Sequence, residues 1–224
     1  MTDVQGAAAP YPRSVLTPAR IGQVVLVTVG VLLLMGAVVA AASVSDRIPS
    51  TGYLTRDPTS VGRLPWWAGS VSRLTNLVWA AAATITVLAG LQTRTRLRRP
   101  LVLLGLFIGI LTVDDTLLLH DAVLPGRGIP EPVVMASYAL AGLALAVLWL
   151  PLRRSAVGIA FYLGGLLLAL SLGIDVVWGD LYVREDAPKL LGALVWGLCG
   201  WWAFTDELGR RSPADSTAGA ARTG

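Results

Sequence analysis

Cysteine, histidine and lysine occur once each in the 224 residues, as Cys199, His120 and Lys189. A single thiol excludes a disulfide framework within the chain and every cysteine-based metal motif. It sits in the apolar run GLCGWW, where a free cysteine serves as a small packing residue. Charge is scarce as well: 14% of the residues are charged, against about 25% in a soluble domain. With 54% hydrophobic residues and a mean hydropathy of +0.66, the excess of apolar side chains has to face lipid, and a soluble globular enzyme is excluded. The net charge of +4 and pI near 9.7 do not indicate a nucleic-acid partner. The 17 arginines fall in short clusters between apolar runs, whereas nucleic-acid binding needs a basic stripe on a folded face.

What is present is a series of long apolar runs. A bilayer core of about 30 Å takes roughly 20 apolar residues of helix, and six stretches approach that length: 21–43, 74–92, 101–120, 132–152, 156–178 and 189–206. Arginine, proline and glycine punctuate them, at Arg94 to Pro100, Pro125 to Pro130, Pro151 to Arg154 and Gly179 to Pro188. The expected architecture is an all-α integral membrane protein with one six-helix transmembrane domain over 21–208. It is flanked by polar, disordered cytoplasmic segments at 1–20 and 209–224. The first run, about 22 residues, exceeds the 7–15 of a signal-peptide core, so it reads as an uncleaved first helix. No internal repeat stands out.

Positive residues set the orientation. With the N-terminus inside, the cytoplasmic pieces carry 11 arginines against four acids, and the outer pieces six arginines and Lys189 against ten acids. Both termini are expected to be cytoplasmic, in the cell (inner or plasma) membrane. The long outer connection 44–73 holds Trp66 and Trp67, which serve either as an interfacial anchor or as a lid.

Depth separates the carboxylates. Asp114 and Asp115 come about 14–15 residues along the third run, roughly 21 Å into the core at 1.5 Å per residue. There a carboxylate costs about 2.5–3.5 kcal/mol on insertion scales and is usually functional. His120 and Asp121 follow at the outer interface in LTVDDTLLLHD. On a continuous helix Asp114 and Asp121 share a face, with Asp115 and His120 flanking it. Since they are about 10 Å apart along the axis, other helices have to complete any site. Asp175 in the fifth run lies at a matching height. Arg73 and Asn76 in the second are placed to partner Asp114 or Asp115. Asp180, Glu131, Glu185 and Asp186 surround the cluster from outer turns. Glu131 reads as an N-terminal helix acid, Asp186 as an N-cap before Pro188, and Glu185 with Lys189 as an i,i+4 pair.

The strings DDTLLLHD (114–121), GIPE (128–131) and EDAPKLLG (185–192) resemble a pattern in small, uncharacterised polytopic membrane proteins of bacteria, many of them actinobacterial. The likeness covers about residues 101–208 and implies a membrane bundle without implying an activity. Better-known families fail on their residues. Membrane prenyltransferases use DDxxD, and here Leu118 stands where the third Asp belongs. Ceramidase-like and adiponectin-receptor-like hydrolases bind zinc through several histidines, and this chain has one.

Three readings of function follow. In the first, the outward cluster of Asp114, Asp115, His120, Asp121 and Asp175 binds a cation or small ligand at the outer leaflet. A divalent cation is the cofactor such donors would take, though the residues do not name the metal. In the second, Asp114, Asp115 and His120 are catalytic acids and bases of a membrane enzyme acting on a lipid or isoprenoid by hydrolysis, isomerisation or cyclisation. In the third, the chain is an accessory subunit whose small residues pack against a membrane partner.

Overall fold

The computed structural model describes residues 16–45, 69–178 and 182–211, with the backbone alone given at 175–178, 182–185 and 210–211. Every regular element among them is helical. The helices are α1 (Pro18–Val44), α2 (Ser70–Gln92), α3 (Arg98–Leu117), α4 (Glu131–Trp149), α5 (Ala156–Trp178) and α6 (Tyr182–Arg211). Short 3-10 turns at Pro125–Arg127 and Leu150–Leu152 and a π-turn at Leu119–Val123 join them. Among the described residues five helices are long and apolar enough to cross a membrane: α1, α2, α3, α4 with its 3-10 extension, and α5 as far as Ile174. Their outward faces carry exposed leucines, among them Leu26, Leu33, Leu77, Leu140 and Leu166.

The sixth helix differs in kind. It carries charge at both ends and contains Pro188 in its interior, so its composition does not mark it as a span. Its position explains this. It packs extensively against α5 and α2 and also against α1, and Ala193, Val195, Cys199 and Trp202 are buried. A helix wrapped by protein needs less lipid-compatible surface than one at the rim. Trp196 Nε1–H donates to Phe161 O across the α5–α6 contact at 2.8 Å. Pro188, expected in the first turn, is seven residues into the helix, and Asp186 lies in its second turn rather than at its start.

Two glycine contacts set the spacing of the core. A Cβ at Gly105 would lie 2.8 Å from Val87 N and 3.0 Å from Ala83 O, and one at Gly200 would lie 2.8 Å from Thr86 Cα. At both positions backbone meets backbone, the arrangement small residues permit in membrane bundles. The α2–α3 and α2–α6 crossings are therefore tight.

α1 begins at Thr17, whose hydroxyl accepts from Arg20 N, with Pro18 in the first turn. It docks at two points. Val31, Met35 and Val38 lie on one helical face and pack with Val71 and Leu190. At its other end Arg20 forms an ion pair with Asp206 and stacks over the Trp202 ring, while Trp202 Nε1–H donates to Gln23. α4 and α5 form a hairpin. Ser155 Oγ–H donates to Leu152 O, and Gly158 N–H donates to Ser155 Oγ. Next to it Trp149 stacks on Phe161 at 4.5 Å, and Tyr162 O–H donates to Ala146 O. Beyond those turns the two arms part, leaving Leu140, Leu143, Leu166 and Leu170 exposed.

Expectations for Trp66 and Trp67 in the outer connection, and for the segments before residue 16 and after 211, lie outside the described residues.

Candidate functional site

Between the parted arms of α4 and α5, and backed by α2, α3 and α6, lies a cavity of about 620 Å³. Its walls are largely apolar, with Trp79, Phe107, Leu111, Leu145, Phe161 and Trp196 among them. Its polar groups gather where α3 ends: Asp114, Asp115, His120, Tyr138, Ser171 and Lys189.

A break in the backbone assembles that end. α3 stops at Leu117, and Leu118 adopts the left-handed conformation (φ 51°, ψ 44°), the one non-glycine residue with positive φ among those described. Leucine pays of order 1 kcal/mol in this region, and such outliers concentrate at functional sites. The chain then turns through Leu119–Val123. On a straight helix, six residues would carry His120 about 240° round and 9 Å along from Asp114. The break folds it back instead, so that His120 Nδ1 meets Asp114 Oδ2. The other ring nitrogen, Nε2, lies 3.3 Å from Oδ1 of the exposed Asp121. The expected geometry of a continuous helix with His120 and Asp115 on opposite flanks does not hold. The three residues 114, 120 and 121 nevertheless come together.

Asp114 is 3% exposed. Its Oδ2 is taken by His120, whereas its Oδ1 has no partner. The Tyr138 hydroxyl on α4 lies within interaction range of the same carboxylate, although no donor meets Oδ1 in hydrogen-bond geometry. Trp79 Nε1, a buried donor on the cavity wall, is likewise unpartnered. Asp115 points a different way and forms an ion pair with Lys189 of α6. This ties α3 to α6 beside the cavity and neutralises one of the two adjacent carboxylates. Neither aspartate takes Arg73 or Asn76, the partners anticipated on α2. Arg73 is exposed, and Asn76 is half-buried outside the cavity lining.

The remaining candidates distribute as follows. Glu131 is exposed at the first turn of α4, as its helix-acid reading expects. Asp186 is half-buried on α6. Asp175 and Glu185 belong to α5 and α6, but their side chains lie outside the described residues, as does Asp180 altogether. Among the described residues no three His, Cys, Asp or Glu side chains converge as a metal site requires, and both imidazole nitrogens face carboxylates.

Sequence reasoning misses Lys189 and Tyr138 as cavity-lining residues, although each carries a signal. Lys189 is the one lysine of the chain, next to an apolar run. Tyr138 is a hydroxyl seven residues beyond Glu131, at the depth of Asp114. Trp79 gave none, since an aromatic residue in a span reads as core.

Chemically, the arrangement offers an apolar volume closed at one end by an acceptor, two donors and a carboxylate–imidazole pair able to exchange a proton. No curated protein and no solved structure matches the chain. A domain of unknown function, DUF8692, matches residues 25–203, and the chain belongs to that family.

Proposed function

We propose that this protein binds an amphiphilic lipid or isoprenoid taken sideways from the bilayer, its chain lying in the cavity and its polar end at Asp114, His120, Tyr138 and the Asp115–Lys189 pair. The observation that carries the reading is the cavity itself: about 620 Å³ of mostly apolar lining that ends in a buried carboxylate–imidazole pair. A site for a water-soluble ligand would have more polar wall, since such sites place several groups to fix orientation. The gap between α4 and α5 gives a lateral route from lipid.

In this reading α6 also crosses the membrane, as the inner helix of six, and both termini are cytoplasmic in the cell membrane. The arginine clusters at 94–99 and 153–154 then mark the inner side, and the polar end of the cavity opens toward the outer leaflet. A cation at the same place is a weaker reading, because it would depend on Asp175, Asp180 or Glu185 to complete the donor set.

Native mass spectrometry of protein released from lipid nanodiscs tests the proposal. Wild type should retain lipid adducts. A Gly142→Leu variant should lose them while keeping the unfolding midpoint of lipid-free wild type, since a Cβ at Gly142 meets only Phe107 at 3.9 Å and the residue lines the cavity. Adducts equally abundant in both proteins, or absent from wild type, would overturn it.

A second reading, catalysis on the bound lipid, is favoured by the Asp114–His120 pair, with the imidazole as the group that moves a proton. Extraction of lipid after incubation of the loaded protein distinguishes the two. A change in the lipid's mass or chromatographic retention that His120→Asn abolishes supports catalysis, and a lipid unchanged in both supports binding alone.

A further inference from the structure

Two buried polar atoms on the cavity wall lack partners: Asp114 Oδ1, an acceptor, and Trp79 Nε1–H, a donor. The residues that bear them are close in helix register. Gly105 packs on Val87, and Gly109 has Ala83 as its near neighbour. The next turn of the same antiparallel register sets Trp79 level with Val113 and Asp114. A buried polar group left unpaired is costly, and two of opposite kind at one level of one cavity describe a ligand that both donates and accepts.

That requirement discriminates among head groups. An ammonium group would satisfy Asp114 Oδ1 but has no lone pair for the Trp79 N–H. A phosphate would accept from Trp79 but would bring negative charge against the free oxygen of Asp114, with Asp115 and Asp121 nearby. The one ammonium at the site, Lys189, is already in an ion pair with Asp115. A hydroxyl meets both demands: its proton goes to Asp114 Oδ1 and its oxygen lone pair receives Trp79 Nε1–H. Tyr138, facing the same carboxylate, adds a third group that a hydroxyl can engage. We infer that the ligand of this cavity is a neutral long-chain alcohol, a lipid whose polar end is an uncharged hydroxyl. The inference rests on the amphiphile reading above and names the head group that reading leaves open. The chain bearing the hydroxyl can be a prenol, a straight-chain alcohol or a diacylglycerol, all of which share this chemistry.

The test is equilibrium binding to the full chain in detergent micelles, with tritiated farnesol, oleyl alcohol and dioleoylglycerol as the three sources of a hydroxyl. Farnesyl phosphate, oleylamine and dioleoylphosphatidic acid serve as charged counterparts of matched chain. At least one alcohol should bind ten-fold or more tighter than its charged counterpart. Trp79→Phe should weaken the alcohol about three-fold or more, and Asp114→Leu about ten-fold or more, as the loss of a neutral and a charge-assisted hydrogen bond respectively implies. Neither substitution should erase the preference for a long chain. Gly142→Leu separates the two levels of the proposal. If binding is lost in Gly142→Leu but the phosphate or amine matches the alcohol in wild type, the cavity takes amphiphiles and the hydroxyl inference is wrong. The inference is also wrong if Trp79→Phe and Asp114→Leu both bind the alcohol as wild type does. If no probe binds, or all bind Gly142→Leu unchanged, the amphiphile reading falls and this inference falls with it.

Discussion

Gly200→Ala should destabilise the protein, whereas Gly197→Ala, one turn earlier on the same helix, should not. A Cβ at Gly200 would stand 2.6 Å from Thr86 Oγ1, 2.8 Å from Thr86 Cα and 3.0 Å from Thr86 N, while one at Gly197 would meet Ala82 Cβ at 3.4 Å, an ordinary contact. Rotation of the Thr86 side chain can clear its hydroxyl but not its Cα or N, and that hydroxyl is itself bonded to Ala82 O at 2.7 Å. Reaching ordinary contact therefore requires α2 and α6 to separate by about half an ångström across a core that includes Cys199 and Trp202. Overpacking of this kind costs about 1–3 kcal/mol, and alanine returns up to about 1 kcal/mol through its helix propensity. The net loss should be about 1–2 kcal/mol, or a fall of roughly 2–8 °C in the unfolding midpoint. Gly197→Ala should be neutral or gain up to about 1 kcal/mol. Thermal and SDS-titrated unfolding in a mild detergent, followed by circular dichroism, reads both. Equal midpoints for the two variants would refute the placement of α6 against α2 at this spacing.

Lys189→Met should cost about 2 kcal/mol by leaving Asp115 unpaired beside the cavity, and adding Asp115→Asn should recover most of it; the midpoints of a double-mutant cycle check this. Arg20→Ala should cost about 1–2 kcal/mol from the lost Asp206 pair and Trp202 stacking, with a shift in tryptophan emission as Trp202 is uncovered. Impermeant maleimide should label a cysteine at Arg96 only after the membrane is opened and one at Gly126 in intact cells. The native thiol, Cys199, is fully buried and leaves that background clean. The opposite labelling pattern would invert the proposed orientation.

The apolar runs were legible because a long, continuously apolar segment satisfies its backbone in lipid as an α-helix, with the hydrogen bonds closed within it. Membership of an uncharacterised family is consistent with the resemblance read from the sequence. The end of α3 was not legible. Leu118 is flanked by leucines, with no glycine or proline to announce a left-handed residue, so periodicity carries the helix on to His120 and puts it on the wrong face. The extent of α6 was hidden for a related reason. Proline in a sequence reads as a boundary, yet Pro188 sits inside the helix, and the charges around it seem to belong to a loop only until Lys189 is found paired with Asp115 on α3. Asp114 and Asp115 stood out by depth alone. Their division of labour, one toward His120 and one toward Lys189, depends on contacts between helices that sequence separation conceals.

The parting of α4 from α5 has a dynamic consequence. Only Val134, Leu145 and Trp149 of α4 are buried, and its side-chain ties to α5 gather at one end, so this helix is secured like a flap hinged near Trp149. Local opening draws on the least-buried elements first, and amide hydrogens in the N-terminal half of α4 should exchange ahead of those in α2 and α6. A molecule filling the space beneath the flap would supply the contacts α4 lacks, adding stability by mass action where the protein has least of its own. Occupancy would then be recorded as slowed exchange along α4, and the rate of ligand passage would follow the fluctuations of that single helix.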